Sequence, residues 1–211
     1  MIPPRAGLSE LAPAVRRALS LDPHSVVRLR VAGQATSALI RLPFDVLVAR
    51  SVQAGAGPDA DVTVRGAQLL AWLDGERDEP PETADALWRW GLPPAHGWRR
   101  VETVPDTDIR PLVRKGALTL KEAARREGVP GAQPRAEVAD ALLDSVVLTA
   151  VSADGQARAE VTLRALSALT RMGFLARGSA AHVDVAGRWT RVAAVYGSVF
   201  IERDALDLTP R

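Results

Sequence analysis

Two short stretches that no helix or strand can run through set the plan of this chain. Gly75-Glu-Arg-Asp-Glu-Pro-Pro-Glu82 is polar and broken by two prolines, and Gly128-Val-Pro-Gly-Ala-Gln-Pro134 alternates proline with glycine. Proline fixes φ, removes a backbone donor and clashes with the turn before it, so each stretch ends whatever precedes it. The 211 residues therefore read as three pieces. Residues 1–78 form an N-terminal α+β half, 79–133 a helical connecting segment, and 134–211 a C-terminal helix-plus-hairpin half. Because the joints are short breakers and not long linkers, the pieces are expected to pack as one body.

The hydrophobic period changes from piece to piece. Leu11, Val15 and Leu19 recur every four residues with Arg16 and Arg17 between them, the pattern of a helix over 9–20 that buries one face. Val27, Leu29 and Val31 alternate with Arg28 and Arg30, as a half-buried strand requires. A second β-patterned run, 36–52, contains Pro43 and is predicted to bend there or split in two. Residues 61–65 read as a short strand, 68–74 and 83–90 as short helices, and 98–104 as a strand. A helical pattern follows from Asp106, with further helices near 135–147 and 163–172 and hairpin material from 180 to 202. The predicted class is α+β: an N-terminal helix with a small antiparallel sheet, a helical middle, and C-terminal helices packed on a β-hairpin.

Composition narrows the function classes. With no cysteine, disulfides, thiol nucleophiles and thiolate metal sites are excluded. No apolar run approaches the ~18 residues of a membrane span, and Met1-Ile2-Pro3-Pro4-Arg5 lacks a basic region followed by an apolar one, so no secretory signal is read. The expected compartment is the cytoplasm. Of the 27 basic residues only Lys115 and Lys121 are lysines, and asparagine is absent. That is a codon-usage imprint of a GC-rich genome, and a net charge of +2 does not by itself call for a polyanionic partner.

Thr119-Leu-Lys-Glu122 has the form of a capping box, and Gly116 is placed to end the helix before it, so a break is predicted at 116–119. On an unbroken helix Arg110, Arg114, Lys121 and Arg125 would fall within a stripe of about 60°, a phosphate-binding face; the break scatters them. Residues 118–129 resemble the first helix and turn of a helix-turn-helix, but the helix that should follow meets Pro130, Gly131 and Pro134.

Farther on, Thr162 is placed to cap a helix whose Ala165, Leu166, Leu169 and Met172 form one face. Gly173 and Phe174 are placed to stop it in a Schellman turn. Its other face carries Arg164, Ser167, Ala168 and Arg171. The hairpin after it turns at Ala186-Gly187, with Arg188 near the tip. Over 135–203 this order is similar to the last helix and wing of a winged helix-turn-helix. The resemblance implies DNA binding through Arg164, Ser167, Arg171 and Arg188.

Trp88, Trp90 and Trp98 lie within eleven residues, beside Arg89, Arg99 and Arg100. Helical positions i and i+2 point about 200° apart, so Trp88 and Trp90 cannot share one core. Exposed tryptophan beside arginine is the composition of a protein-binding hot spot, which assigns Trp88, Arg89, Trp90 and Trp98 to a partner surface; the alternative is a satellite core pinning a loop. His24, His96 and His182 lack zinc-ligand spacing, and no nucleotide loop or nucleophile elbow is present, so no cofactor, metal or catalytic residue is assigned. The sequence favours a non-catalytic binding or regulatory protein acting on a protein partner or on itself. DNA binding of winged-helix type is the alternative, and an enzyme using carboxylates as acid and base is the third reading.

Overall fold

A computed structural model describes Ile2 and residues 4–54, 60–126 and 136–203. The breaker at 128–134 and most of the 54–61 loop lie outside the described residues. The chain divides into two compact units, 1–96 and 97–211, and the polar stretch 75–82 lies inside the first.

In the first unit a 3-10 turn, Ser9–Leu11, leads into α1 (Ala12–Leu21), which buries Ala12, Ala14, Val15 and Ala18 and leaves Arg16 and Arg17 exposed. β1 (Val26–Ala32), β2 (Ala35–Leu42), β3 (Val46–Gln53) and β4 (Ala60–Arg65) form an antiparallel sheet in the order β4-β1-β2-β3. The predicted run at 36–52 does split beyond Pro43, at a turn where Asp45 takes φ +59°. On β1 the alternation holds: Val27, Leu29 and Val31 are buried and Arg28 and Arg30 face the other way. β4 runs straight into α2 (Gly66–Leu73), which packs with α1 on the sheet and buries Leu69 and Trp72.

The helix expected at 83–90 does not form. Only a 3-10 turn, Asp85–Leu87, is present, because Thr83 and Ala84 are drawn out against β4: Val64 bridges to Thr83 and the Ala84 N–H donates to the Thr63 carbonyl at 2.7 Å. An eight-residue helix is marginal alone, and these strand-edge bonds replace it.

In the second unit β5 (Arg99–Pro105) is followed by α3 (Asp106–Arg126), α4 (Ala136–Leu143), the hairpin β6 (Val146–Val151) and β7 (Arg158–Thr162), α5 (Leu163–Arg171), and β8 (Ala180–Ala186), β9 (Trp189–Ala194) and β10 (Gly197–Glu202). The last three strands and β5 make an antiparallel sheet in the order β10-β9-β8-β5. Its core holds Ile109, Leu166, Leu169, Met172, Phe174 and Val183. α5 starts and stops as its sequence dictates. The Thr162 hydroxyl accepts from the Ala165 N–H, Gly173 takes φ +66°, and the Phe174 N–H returns to the Leu169 carbonyl.

Two further expectations are corrected. α3 does not break at 116–119 but runs unbroken for 21 residues, about 30 Å. Gly116 is a contact glycine: a Cβ there would collide with both Cδ atoms of Leu163 at the start of α5. The Thr119 hydroxyl caps nothing and donates back to the Lys115 carbonyl at 3.1 Å. The winged-helix reading also fails. The turn at Gly187 does join β8 to β9, but β8 pairs on its other edge with β5, and β9 with β10. The expected wing is the interior of a sheet and projects nowhere.

Candidate binding surfaces

Three surfaces concentrate the side chains that can hold a partner. The first is a strap at residues 83–95 of the first unit. It is tied at both ends by arginines that alternate outward on β1. Arg28 Nη1 donates to Thr63 Oγ1 at 3.0 Å and reaches Asp85 Oδ1 at 3.4 Å, while Arg30 Nη1 donates to the Pro93 carbonyl at 2.7 Å and Arg30 Nε to Asp61. Between the ties, Trp88 and Trp90 stack edge to face with centroids 5.3 Å apart, and Trp88 Nε1 donates to the Trp90 carbonyl at 2.8 Å. Trp90 and Leu87 are each 38% exposed and Arg89 is exposed. The strap's far end and β1 border a cleft of about 420 Å³ floored by Val31, Pro93 and Pro94.

Trp98 belongs to the second unit and has partners of its own. It lies 5.7 Å from the Phe200 ring, and the Arg191 guanidinium stacks over it at 4.5 Å. Arg191 and Arg100 both hold Asp184, which is 2% exposed, so a row Phe200–Arg191–Asp184–Arg100 crosses four adjacent strands. His182 Nδ1 pairs with Thr103 Oγ1 at 3.0 Å. Among the described residues no three His, Cys, Asp or Glu side chains gather as a metal site.

The third surface is α3. Because the helix is unbroken, Arg110, Arg114, Lys121 and Arg125 do fall along one stripe, and Arg114, Lys121 and Arg125 are exposed. At its head Arg110 is fixed by Asp106 at 2.9 Å and by the Leu175 carbonyl. An open groove of about 550 Å³ between α3 and α5 is lined by Arg110, Arg114, Thr170 and Arg177. The Arg110 guanidinium, aided by the Gly178 N–H, holds the Asp106 carboxyl below its usual range. This cationic face was legible only on the assumption of a continuous helix.

The four residues assigned to a DNA groove are not gathered on one face. Arg164 is buried, with Nε on Asp144 at 2.7 Å and Nη2 on Asp140 at 2.9 Å, so it ties α4 to α5. Ser167 is half-buried and Arg171 exposed, while Arg188 pairs with Glu202 at 2.6 Å at the β8–β9 turn.

Residues 93–206 match the family model of a domain of unknown function, DUF8185, and residues 2–90 that of a second domain of unknown function, DUF8010. No curated protein matches the chain in sequence. Solved structures do match. The chain is similar to the DNA polymerase III subunit beta of Pseudomonas aeruginosa (TM-score 0.58, 14% identity, 98% of this chain and 67% of that one). It is similar also to the DNA polymerase sliding clamp of Caulobacter crescentus (TM-score 0.54, 13% identity, 97% and 68%). A third match is the Helicobacter pylori beta clamp bound to a DNA ligase peptide (TM-score 0.50, 11% identity, 98% and 69%). The chain spans about two thirds of the length of these clamps and has a sliding-clamp-like α+β fold.

Proposed function

The chain belongs to the DUF8185 family, and on that premise we propose that it is a non-catalytic binding protein: a clamp-type scaffold that engages a partner protein through the aromatic strap at 83–95. The likeness to polymerase sliding clamps carries this reading, one of them being bound to a ligase peptide. The strap adds the chemistry such a scaffold needs. Trp90 and Leu87 stand exposed beside Arg89, and tryptophan and arginine dominate the energetics of protein interfaces. The test is a cross-linking pull-down with wild-type and Trp90→Ala baits. A partner held by the wild type and lost by the variant, at nearly unchanged melting temperature, is the expected result. Equal recovery, or a large fall in melting temperature, overturns it.

A second reading, contact with duplex DNA, is favoured by the unbroken basic stripe of α3. Fluorescence anisotropy of a labelled duplex at two salt concentrations tests it. Each phosphate contact adds about 0.9 to the slope of log affinity against log salt. Arg114→Glu and Arg125→Glu should each weaken binding and flatten that slope, and binding unchanged by both variants removes the reading.

A further inference from the structure

The groove between α3 and α5 carries charges that do not cancel. Arg110, Val113, Arg114 and Ala117 recur at i, i+3, i+4 and i+7, so they share the face of α3 that lines it. Arg177 lines it from the loop between α5 and β8. That loop is pinned to the head of α3: the Gly178 N–H donates to Asp106 Oδ2 at 3.2 Å, and the Asp106 N–H donates to the Ser179 carbonyl at 2.9 Å. Three guanidiniums and one carboxylate thus line the groove, an excess of two positive charges.

The one carboxylate is already engaged. The Asp106 side chain is 8% exposed, and its Oδ2 accepts from both Arg110 and Gly178. Arg110 is held by that bond and by the Leu175 carbonyl, which fixes its guanidinium and leaves Nη1 unbonded among the described residues. Arg114 and Arg177 are exposed and, among the described residues, have neither an ion pair nor a side-chain hydrogen bond. Elsewhere in this unit Arg100, Arg158, Arg188 and Arg191 each face a carboxylate. The planar fork of arginine matches phosphoryl oxygens bidentately. A phosphomonoester carries about −1.5 to −2 at pH 7, the charge that would neutralise this groove. Its volume of about 550 Å³ suits a small organic ligand, and Val113 and Ala117 offer an apolar strip to the body behind the phosphoryl group.

We propose that this groove binds the phosphomonoester of a small organic molecule, with Arg114 and Arg177 on the phosphoryl oxygens, Arg110 as the fixed third cation, and the organic body on Val113 and Ala117. The site is distinct from the stripe assigned to duplex DNA: Lys121 and Arg125 lie beyond its α3 lining, and Arg177 is not on α3.

The test follows the backbone amide of Gly178 and the Nε–H of Arg110 by NMR while the full chain is titrated with phenyl phosphate, inorganic phosphate or benzoate at constant ionic strength. Phenyl phosphate is expected to move both signals saturably, inorganic phosphate to do so more weakly for want of the apolar body, and benzoate, with a single charge, more weakly than phenyl phosphate. Arg114→Ala and Arg177→Ala should each raise the Kd for phenyl phosphate about five-fold or more, while Lys121→Ala leaves it unchanged. Should Arg177→Ala lower the melting temperature, Arg114→Ala alone carries the comparison. No saturable movement with either phosphate removes the site. Benzoate binding as tightly as phenyl phosphate removes the phosphoryl group as what is recognised, and an equal loss in Lys121→Ala reduces the effect to diffuse charge. Anisotropy of the labelled duplex separates this groove from a DNA track: Arg177→Ala should leave duplex affinity unchanged, and a loss as large as that for phenyl phosphate removes the small molecule as the occupant.

Discussion

Gly116 sits against Leu163 so closely that the glycine's missing side chain is the space the leucine occupies: both Leu163 Cδ atoms stand where a Cβ would be. Leu163 is 3% exposed and is the first residue of α5. The contact therefore sets how near α3 and α5 approach, and with it the groove that Arg110, Arg114 and Thr170 line.

Gly116→Ala is predicted to destabilise the protein, against the usual trend. In an exposed helix interior the change gains up to about 1 kcal/mol from propensity. Here overpacking against Leu163 should cost about 1–3 kcal/mol and outweigh it. Urea unfolding of Gly116→Ala, Leu163→Ala and the double variant measures this. The double variant should be more stable than the two single losses added together, and strict additivity would show that the two residues do not compete for the same space.

Thr119→Ala separates a capping threonine from a mid-helix one. A lost N-cap costs about 1 kcal/mol. A hydroxyl turned back on the Lys115 carbonyl in an unbroken α3 supports the helix little, so the variant should lie within about 0.5 kcal/mol of wild type. A loss of a full kcal/mol in the same unfolding assay would restore the break at 116–119.

What could be read from the sequence is what local physics decides. The Val27/Leu29/Val31 alternation and the Thr162 and Gly173–Phe174 caps each involve residues within a few positions, and each appears as read. The misreadings are all cases where a distant neighbour wins. Gly116 looks like a terminator until Leu163 is placed beside it, and 83–90 looks helical until the β4 edge takes Thr83 and Ala84. Arg164 looks like a groove contact until Asp140 and Asp144 on the preceding segment enclose it. The exposed Trp90 was legible because i and i+2 residues cannot share a core. Trp98 joins it only by sequence proximity, and its neighbours in the fold are Phe200 and Arg191.

Arg164→Ala should destabilise the second unit and leave duplex affinity, where present, unchanged. It removes charge-assisted bonds to Asp140 and Asp144, but both carboxylates are largely exposed and stay hydrated. The cost should be about 1–3 kcal/mol and not the larger penalty of a stranded buried charge. Arg164→Met, which keeps the packing of the stem, should lose less than Arg164→Ala. Thermal melts rank the two variants, and anisotropy beside Arg114→Glu distinguishes a structural arginine from a phosphate contact.

Asp106 supplies an acid-sensitive tie. Its Oδ2 accepts from Arg110 Nε at 2.9 Å and from the Gly178 N–H at 3.2 Å, and its own N–H donates to the Ser179 carbonyl. The Arg110 bond is the main cause of its lowered pKa, which burial opposes and the Gly178 bond reinforces. A folded pKa below the unfolded value means that the ionised form favours folding. The contribution is complete above the ordinary value of 3.8 and disappears as pH falls through the lower folded value. Asp106→Asn keeps an acceptor for Gly178 but not the charge facing Arg110. It should melt below wild type near neutrality, and the gap should close as pH is taken from about 6 to about 2. A gap that stays constant over that range would mean that Asp106 holds the start of α3 by hydrogen bonding alone.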